Sequence, residues 1–172
     1  SLNAGTIARS EEKSAPPVHE RIEAAHKVAL KGYRVAFHFD PLIYFSGWKK
    51  EYSEVAEELL SRIPVDKIAW ISLGSLRFPP SLKEIIARRF PESNILYEEF
   101  IRGLDGKVRY FKPLRIRLYT HLVKALLDGG KRKIPLYLCM ESKEIWRDVL
   151  KKEPEDEVEV GKYLSSSSGC CQ

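Results

Sequence analysis

Apolar residues recur along this chain in two alternating rhythms. From Pro17 to Lys31, Ile22, Ala25, Val28 and Ala29 fall on one helical face, and Gly32 stops the helix. Tyr33 to Phe39 alternates instead, with Val35, Phe37 and Phe39 set against Ala36 and His38, and reads as a strand. Trp48 to Ile63 returns to helical spacing, with Tyr52, Val55, Ala56, Leu59, Leu60 and Ile63 inward and Pro64 ending it. Lys67 to Leu73 is an almost unbroken apolar run, the pattern of a strand covered on both faces in a parallel sheet. Ser81-Leu82-Lys83-Glu84 has capping-box spacing and predicts a helix carrying Leu82, Ile85, Ile86 and Phe90. Pro113 opens another helix, with Leu114, Leu118, Leu122, Ala125 and Leu126 inward and Gly129-Gly130 closing it. Ile134 to Met140 is a further buried strand, and Ser142 caps a last helix with Ile145, Trp146, Val149 and Leu150. Strands alternating with helices in this order predict an α/β fold with a parallel sheet.

One insertion breaks the alternation. Glu99 to Arg115 holds two short runs rich in aromatic and β-branched residues around Gly103-Leu104-Asp105-Gly106, and Asp-Gly is a strong hairpin signal. Arg102, Lys107, Arg109, Lys112, Arg115 and Arg117 are interleaved there with Tyr110 and Phe111, and Asp105 is the single acid from Arg102 to Arg117. Cations and aromatic rings on a projecting hairpin suit a phosphate backbone and unstacked bases. A solvated edge hairpin, whose charges prevent strand-to-strand aggregation, has the same composition.

Composition adds little to this. The 172 residues carry a net charge of +5, which is compatible with a polyanionic partner without requiring one. No apolar run reaches the roughly 18 residues of a membrane span, and Ser1-Leu2-Asn3-Ala4-Gly5 is not a signal peptide, so no membrane is expected. Cys139, Cys170 and Cys171 form no disulfide framework, which predicts a reducing, cytoplasmic setting. Gly169 stands where a CaaX lipidation signal needs cysteine. Residues 153–172, acidic and then serine-rich, read as a disordered tail behind a folded unit of residues 1–152. The opening Ser1-Leu2-Asn3, without an initiator methionine, reads as the interior of a longer protein or a processed start.

In parallel α/β folds chemistry gathers at the C-terminal ends of the strands, and three such ends are polar here. His38 and Asp40 share one face of their strand and could bind a polar ligand or orient one another. Gly74 permits close backbone approach, and Arg77 three residues on could meet an anion. Cys139 sits in an apolar strand with no evident basic neighbour and reads as a small buried hydrophobe. Dinucleotide, Walker, nucleophile-elbow and zinc motifs are all absent.

Four segments, in this order, resemble the C-terminal half of the spore photoproduct lyase family. They are Phe37-His38-Phe39-Asp40-Pro41, Trp70 to Pro79, Phe100 to Arg115, and Pro135 to Ser142, and Ser1-Leu2-Asn3 resembles a strand-end motif of the same family. The resemblance implies a partial (β/α) barrel with an inserted β-hairpin at about residues 94–112. It implies a radical S-adenosylmethionine enzyme that reverses a thymine dimer in DNA, using a [4Fe–4S] cluster on a Cys-x-x-x-Cys-x-x-Cys loop. It also implies a hairpin wedge whose Arg109 and Tyr110 enter the duplex as the lesion leaves the stack, with Arg102, Lys107, Lys112 and Arg115 along the DNA. Ser1, Asn3, His38 and Asp40 become the candidates for the cofactor side of the cleft. The cluster loop is missing, and Cys139, Cys170 and Cys171 cannot replace it by spacing. The segment alone is therefore expected to hold no catalytic residue or metal ligand, to need the absent N-terminal half as partner, and to act on double-stranded DNA carrying a thymine lesion. A non-catalytic nucleic-acid-binding α/β domain and an unrelated α/β domain for a small anion are the competing readings.

Overall fold

A computed structural model describes residues 1–152, so the 153–172 tail expected to be disordered lies outside the described residues. Helix α1 (Gly5–Glu11) is followed by α2 (Val18–Leu30), strand β1 (Val35–Leu42) and α3 (Trp48–Arg62). Strands β2 (Ile68–Ser75) and β3 (Arg77–Phe78) come next, then α4 (Leu82–Arg89). The hairpin strands β4 (Phe100–Arg102) and β5 (Val108–Tyr110) precede α5 (Lys112–Leu127), β6 (Leu136–Leu138) and α6 (Lys143–Leu150). Two three-stranded sheets result: a parallel one in the order β1-β2-β6 and an antiparallel one in the order β3-β5-β4.

The parallel sheet forms for the reason its sequence predicts. β2 is central and buried along nearly its whole length, and Ile71 and Leu73 are shut off from solvent completely. Phe37 and Phe39 of β1, Leu136 and Leu138 of β6, and Ile22, Leu59, Leu118, Leu122 and Ile145 of the covering helices join them in one core. Each such side chain contributes about 1.5–3 kcal/mol by leaving water. In-register pairs Phe37–Ile71, His38–Ser72 and Phe39–Leu73, with Ile71–Leu136, Ser72–Tyr137 and Leu73–Leu138, lay His38, Ser72 and Tyr137 in one row across the three strands.

Several expectations need correction. The sequence pattern passes over α1, because seven residues with only Ile7 and Ala8 buried leave too short a stripe to stand out. Ile22, Ala25 and Ala29 of α2 face the core as expected, but Val28 is 45% exposed, and Val18 is buried instead. Ser81 has helical φ and ψ and makes no side-chain cap, and α4 buries none of its residues fully. Ile85 and Phe90 are exposed there, and only Leu82 and Ile86 pack on the core. Ser142 is the N-cap residue of α6, but through its backbone carbonyl, which accepts from Trp146 N at 3.1 Å. β1 runs on through Asp40 to Leu42, past the predicted end at Phe39.

The hairpin does not project freely. β5 is the central strand of its sheet, paired with β4 on one side and β3 on the other. The turn closes with Gly103 N donating to Lys107 O at 2.8 Å and Gly106 N to Gly103 O at 3.0 Å. Gly106 has φ +77°, a conformation glycine adopts at little cost.

Candidate functional site

Polar groups collect where β1, β2 and β6 end, beneath the hairpin sheet. Asp40, on β1, takes a bidentate contact from Arg77 on β3, with Nη1 donating to Oδ1 at 3.1 Å and Nη2 to Oδ2 at 3.0 Å. Gly74 makes the space for this pair: a Cβ there would lie 2.5 Å from the Asp40 carboxylate. The reading of Gly74 as a close-approach glycine therefore stands, and the anion that Arg77 meets is Asp40. Arg77 Nη2 also lies 3.2 Å from Cys139 Sγ. Cys139 is partly exposed at this mouth rather than buried in the strand, and burial, with Asp40 nearby, pushes its thiol pKa up.

His38 and Asp40 do not orient one another. The imidazole Nδ1 of His38 lies 3.1 Å from Ser72 Oγ, and its ring meets Trp70 edge-on at 5.0 Å. Partial burial holds its pKa below the ordinary value. Ser1 lies beside it, because Leu2 N donates to His38 O at 2.7 Å. Ser1 itself is exposed, and its carbonyl accepts from Arg21 Nη1 at 3.2 Å.

Asn3 leaves the set of cofactor candidates. It is 3% exposed, and every polar atom of its side chain is engaged. Oδ1 accepts from Ala4 N at 3.0 Å and Tyr52 Oη at 2.8 Å, while Nδ2 donates to Glu12 Oε1 at 3.0 Å and Pro41 O at 3.3 Å. Its work is to pin the first residues against the end of β1.

The hairpin cations separate into three groups. Arg102 is exposed, beside the fully exposed Leu104 at the tip. Lys107 and Arg109 lie over Met140: Lys107 Nζ is 3.7 Å from its sulfur, and Arg109 Nη1 donates to its carbonyl at 3.4 Å. Arg109 also pairs with Asp105 across the turn. Lys112 reaches Glu144 at 2.7 Å and Asp148 at 3.8 Å, which ties the start of α5 to α6.

Tyr110 and Arg115 are corrections. Tyr110 is 0% exposed: its ring stacks on Phe100 at 5.1 Å, and its hydroxyl accepts from Tyr44 N at 3.1 Å. Burial pushes its phenol pKa up to about 12. Strand alternation turns Tyr110 inward at the end of β5, so it forms the floor of the hairpin and does not stand out as a wedge. Arg115 is buried as well. Its guanidinium donates to Tyr110 O, and its Nε lies 3.1 Å from Glu141 Oε1, an ion pair without hydrogen-bond geometry. Glu141 also accepts from Tyr119 Oη at 2.6 Å, and Tyr119 Oη in turn accepts from Ser75 N at 2.8 Å. Tyr119, Glu141 and Arg115 thus buttress the site, and sequence reading missed Tyr119 and Glu141. Tyr119 follows Arg115 by one helical turn, a spacing that could have flagged both as facing one partner.

A family model described as spore photoproduct lyase matches residues 1–113. The chain belongs to the spore photoproduct lyase family. It is 31% identical over 132 residues to the spore photoproduct lyase of Bacillus subtilis (strain 168), covering 75% of this chain and 39% of that protein. The corresponding protein of Clostridium acetobutylicum is 28% identical over 112 residues, covering 65% of this chain and 31% of that one. The chain thus spans well under half the length of these curated relatives. A solved spore photoproduct lyase complexed with dinucleoside spore photoproduct superposes with a TM-score of 0.65 at 20% identity, over 80% of this chain and 42% of that one. A mutant of such an enzyme, with bound AdoMet and dinucleoside spore photoproduct, superposes equally well at the same identity and coverage. These likenesses show the fold.

The described residues do not fit an iron–sulfur cluster. Among them, no group of three or more His, Cys, Asp and Glu side chains is placed to hold a metal ion, and the one described cysteine, Cys139, already lies against Arg77. No helix among the described residues is long and apolar enough to cross a membrane.

Proposed function

We propose that this chain is the C-terminal portion of a radical S-adenosylmethionine lyase that reverses spore photoproduct in double-stranded DNA, within a partial (β/α) barrel. The observation that carries the reading is family membership together with a polar end to the parallel sheet, where Asp40 and Arg77 are paired and His38 and Ser72 face one another. One relative is solved with dinucleoside spore photoproduct and AdoMet bound, which supports a lesion and that cofactor as the ligands of this family's cleft. S-adenosylmethionine, which supplies the radical in this chemistry, would meet the present chain at Ser1 and His38. Asp40 serves that cleft through Arg77 rather than by free contact. The cluster ligands belong to the remainder of the protein.

On this reading the hairpin works through its outer residues. Arg102 supplies positive charge for phosphates, and Leu104 at the tip is the apolar wedge that can slip between adjacent base pairs. Tyr110 shapes and stiffens the hairpin from below.

The test is the longer polypeptide that contains this chain. It is expected to carry Cys-x-x-x-Cys-x-x-Cys upstream of Ser1, to bind iron when purified anaerobically, and to restore thymines from lesion-containing duplex when reduced with S-adenosylmethionine. A start codon close to Ser1, with no cysteine loop upstream, would overturn the lyase reading in favour of the non-catalytic nucleic-acid-binding domain.

A further inference from the structure

Met140 occupies an unusual place. It is the chain's single methionine, it is 47% exposed, and its φ of +54° puts a non-glycine residue in the left-handed region. Such a conformation is unfavourable for an L-residue, so the surroundings must impose it. Those surroundings are cationic. Arg77 Nε points at its sulfur from 3.3 Å and Lys107 Nζ from 3.7 Å, and Arg109 Nη1 donates to its carbonyl.

A thioether sulfur is a weak acceptor, and two charged donors resting on it are poorly used. The strand register sharpens the point. Arg77 and Arg109 stand directly opposite one another in β3 and β5, and like charges so placed repel. Asp40 answers Arg77 and Asp105 answers Arg109, but Lys107 has no acid of its own within ion-pair distance among the described residues. Arg109 Nε is buried and unpartnered, held flat against Gly103, where a Cβ would lie 3.2 Å from it. The cluster therefore carries one positive charge in excess, with donors facing a soft, neutral atom that can move aside.

We propose that Arg77, Lys107 and Arg109 form a binding subsite for a single phosphate monoanion, and that Met140 covers it when empty. The ligand is a phosphodiester of the nucleic-acid backbone, which carries one charge per phosphate and two free oxygens to share among three donors. Anionic oxygens replace the sulfur as partners of Arg77 Nε and Lys107 Nζ, giving charge-assisted hydrogen bonds. The inference rests on the nucleic-acid reading above, and adds where one backbone phosphate sits: at the mouth of the sheet, between hairpin and β6, and not along the hairpin's outer flank.

In the longer polypeptide labelled with ¹³C at its methionine methyls, the Met140 signal, assigned by its loss in Met140→Leu, is titrated with thymidylyl-thymidine, with its neutral methylphosphonate, and with inorganic phosphate. The diester is expected to shift the signal and the methylphosphonate to leave it in place. Lys107→Gln, at a partly exposed position, is expected to weaken the diester about tenfold, the scale of one charge-assisted contact, while Lys31→Gln, at an exposed position after α2, leaves it unchanged. A signal moved by inorganic phosphate but not by the diester would overturn the nucleic-acid source. A silent signal in all three titrations, or equal weakening by Lys31→Gln and Lys107→Gln, would overturn the subsite itself. Duplex DNA binding, followed by fluorescence anisotropy, separates the two levels. Binding that survives beside a silent Met140 removes the subsite alone, whereas absent binding removes the nucleic-acid reading with it.

Discussion

The C-terminal end of the parallel sheet and the hairpin above it both hold charge, but they hold it by different means. At the sheet end each polar group is paired with one distant in sequence: Asp40 with Arg77, His38 with Ser72, Glu141 with Arg115 and Tyr119. At the hairpin turn the ion pair is local, Asp105 with Arg109, and Arg102 at the tip remains in solvent. Long-range pairing fixes a site before a ligand arrives, because moving one partner disturbs several elements. Local pairing leaves charge available at the surface, where it steers and anchors a polyanion. The fold therefore separates a rigid polar floor from a basic, adaptable cover, with Met140 at the seam.

The largest effect is expected where the floor is most deeply buried. Arg115→Met leaves the Glu141 carboxylate, whose side chain is 3% exposed, without its cation. Removing one member of a buried pair costs roughly 3–5 kcal/mol. Chemical denaturation should show that loss, and adding Glu141→Gln should recover some of it; a loss below about 1 kcal/mol would place this pair with surface ion pairs. Next comes Gly74→Ala. Its new Cβ, 2.5 Å from the Asp40 carboxylate, forces the Asp40–Arg77 pair apart. A stability loss of about 1–3 kcal/mol is expected from such overpacking, and wild-type stability would show that the pair is not held by that contact.

These two positions also show what sequence could and could not disclose. The three strands of the parallel sheet, helices α2 to α6 and most of their inward faces follow from apolar spacing, since burial of one stripe is what each element forms for. Gly74, Asp40 and Arg77 were legible as a polar strand end, because glycine beside polar residues after an apolar run is a local signal. Their pairing was not, because a β1-to-β3 contact across 37 residues leaves no periodicity to read. The hairpin misled for the opposite reason. Its local composition is strongly basic and aromatic, yet strand alternation sends Tyr110 inward, and one helical turn carries Arg115 beneath it. Composition cannot show direction when strands are three residues long and the partner β3 lies far upstream.

Substitutions in the hairpin should divide along the same line. Tyr110→Phe removes the acceptor of the Tyr44 amide, and a buried donor left unmade costs about 1–3 kcal/mol. Thermal unfolding should register it, with duplex affinity of the folded variant unchanged; lost affinity in a stable variant would restore the tyrosine as a direct contact. Arg102→Gln should do the reverse. Stability should stay within about 0.5 kcal/mol of the parent, as for exposed positions generally. The salt dependence of DNA binding should fall by about one unit of slope, the loss of one phosphate contact.

The smallest effect is a pH dependence at the floor itself. His38 has a folded pKa below its ordinary 6.5, chiefly because partial burial disfavours the charged ring. Between those two values the unfolded chain holds more protons than the folded one, so stability must fall as protons are added. The histidine's contribution is therefore neutral above the unfolded pKa, and turns destabilising as the pH falls through and below it. His38→Gln carries no titrating ring in either state and should flatten the curve over that range. Denaturation midpoints compared between mildly alkaline and mildly acidic buffer, parent against variant, measure the difference. A parent and variant that lose stability in parallel would mean that the ring takes up its proton as readily in the fold as out of it. In that case the Ser72 contact and the Trp70 edge would not hold it in its neutral form, and the floor would be less rigid at its N-terminal edge than at the Asp40–Arg77 pair.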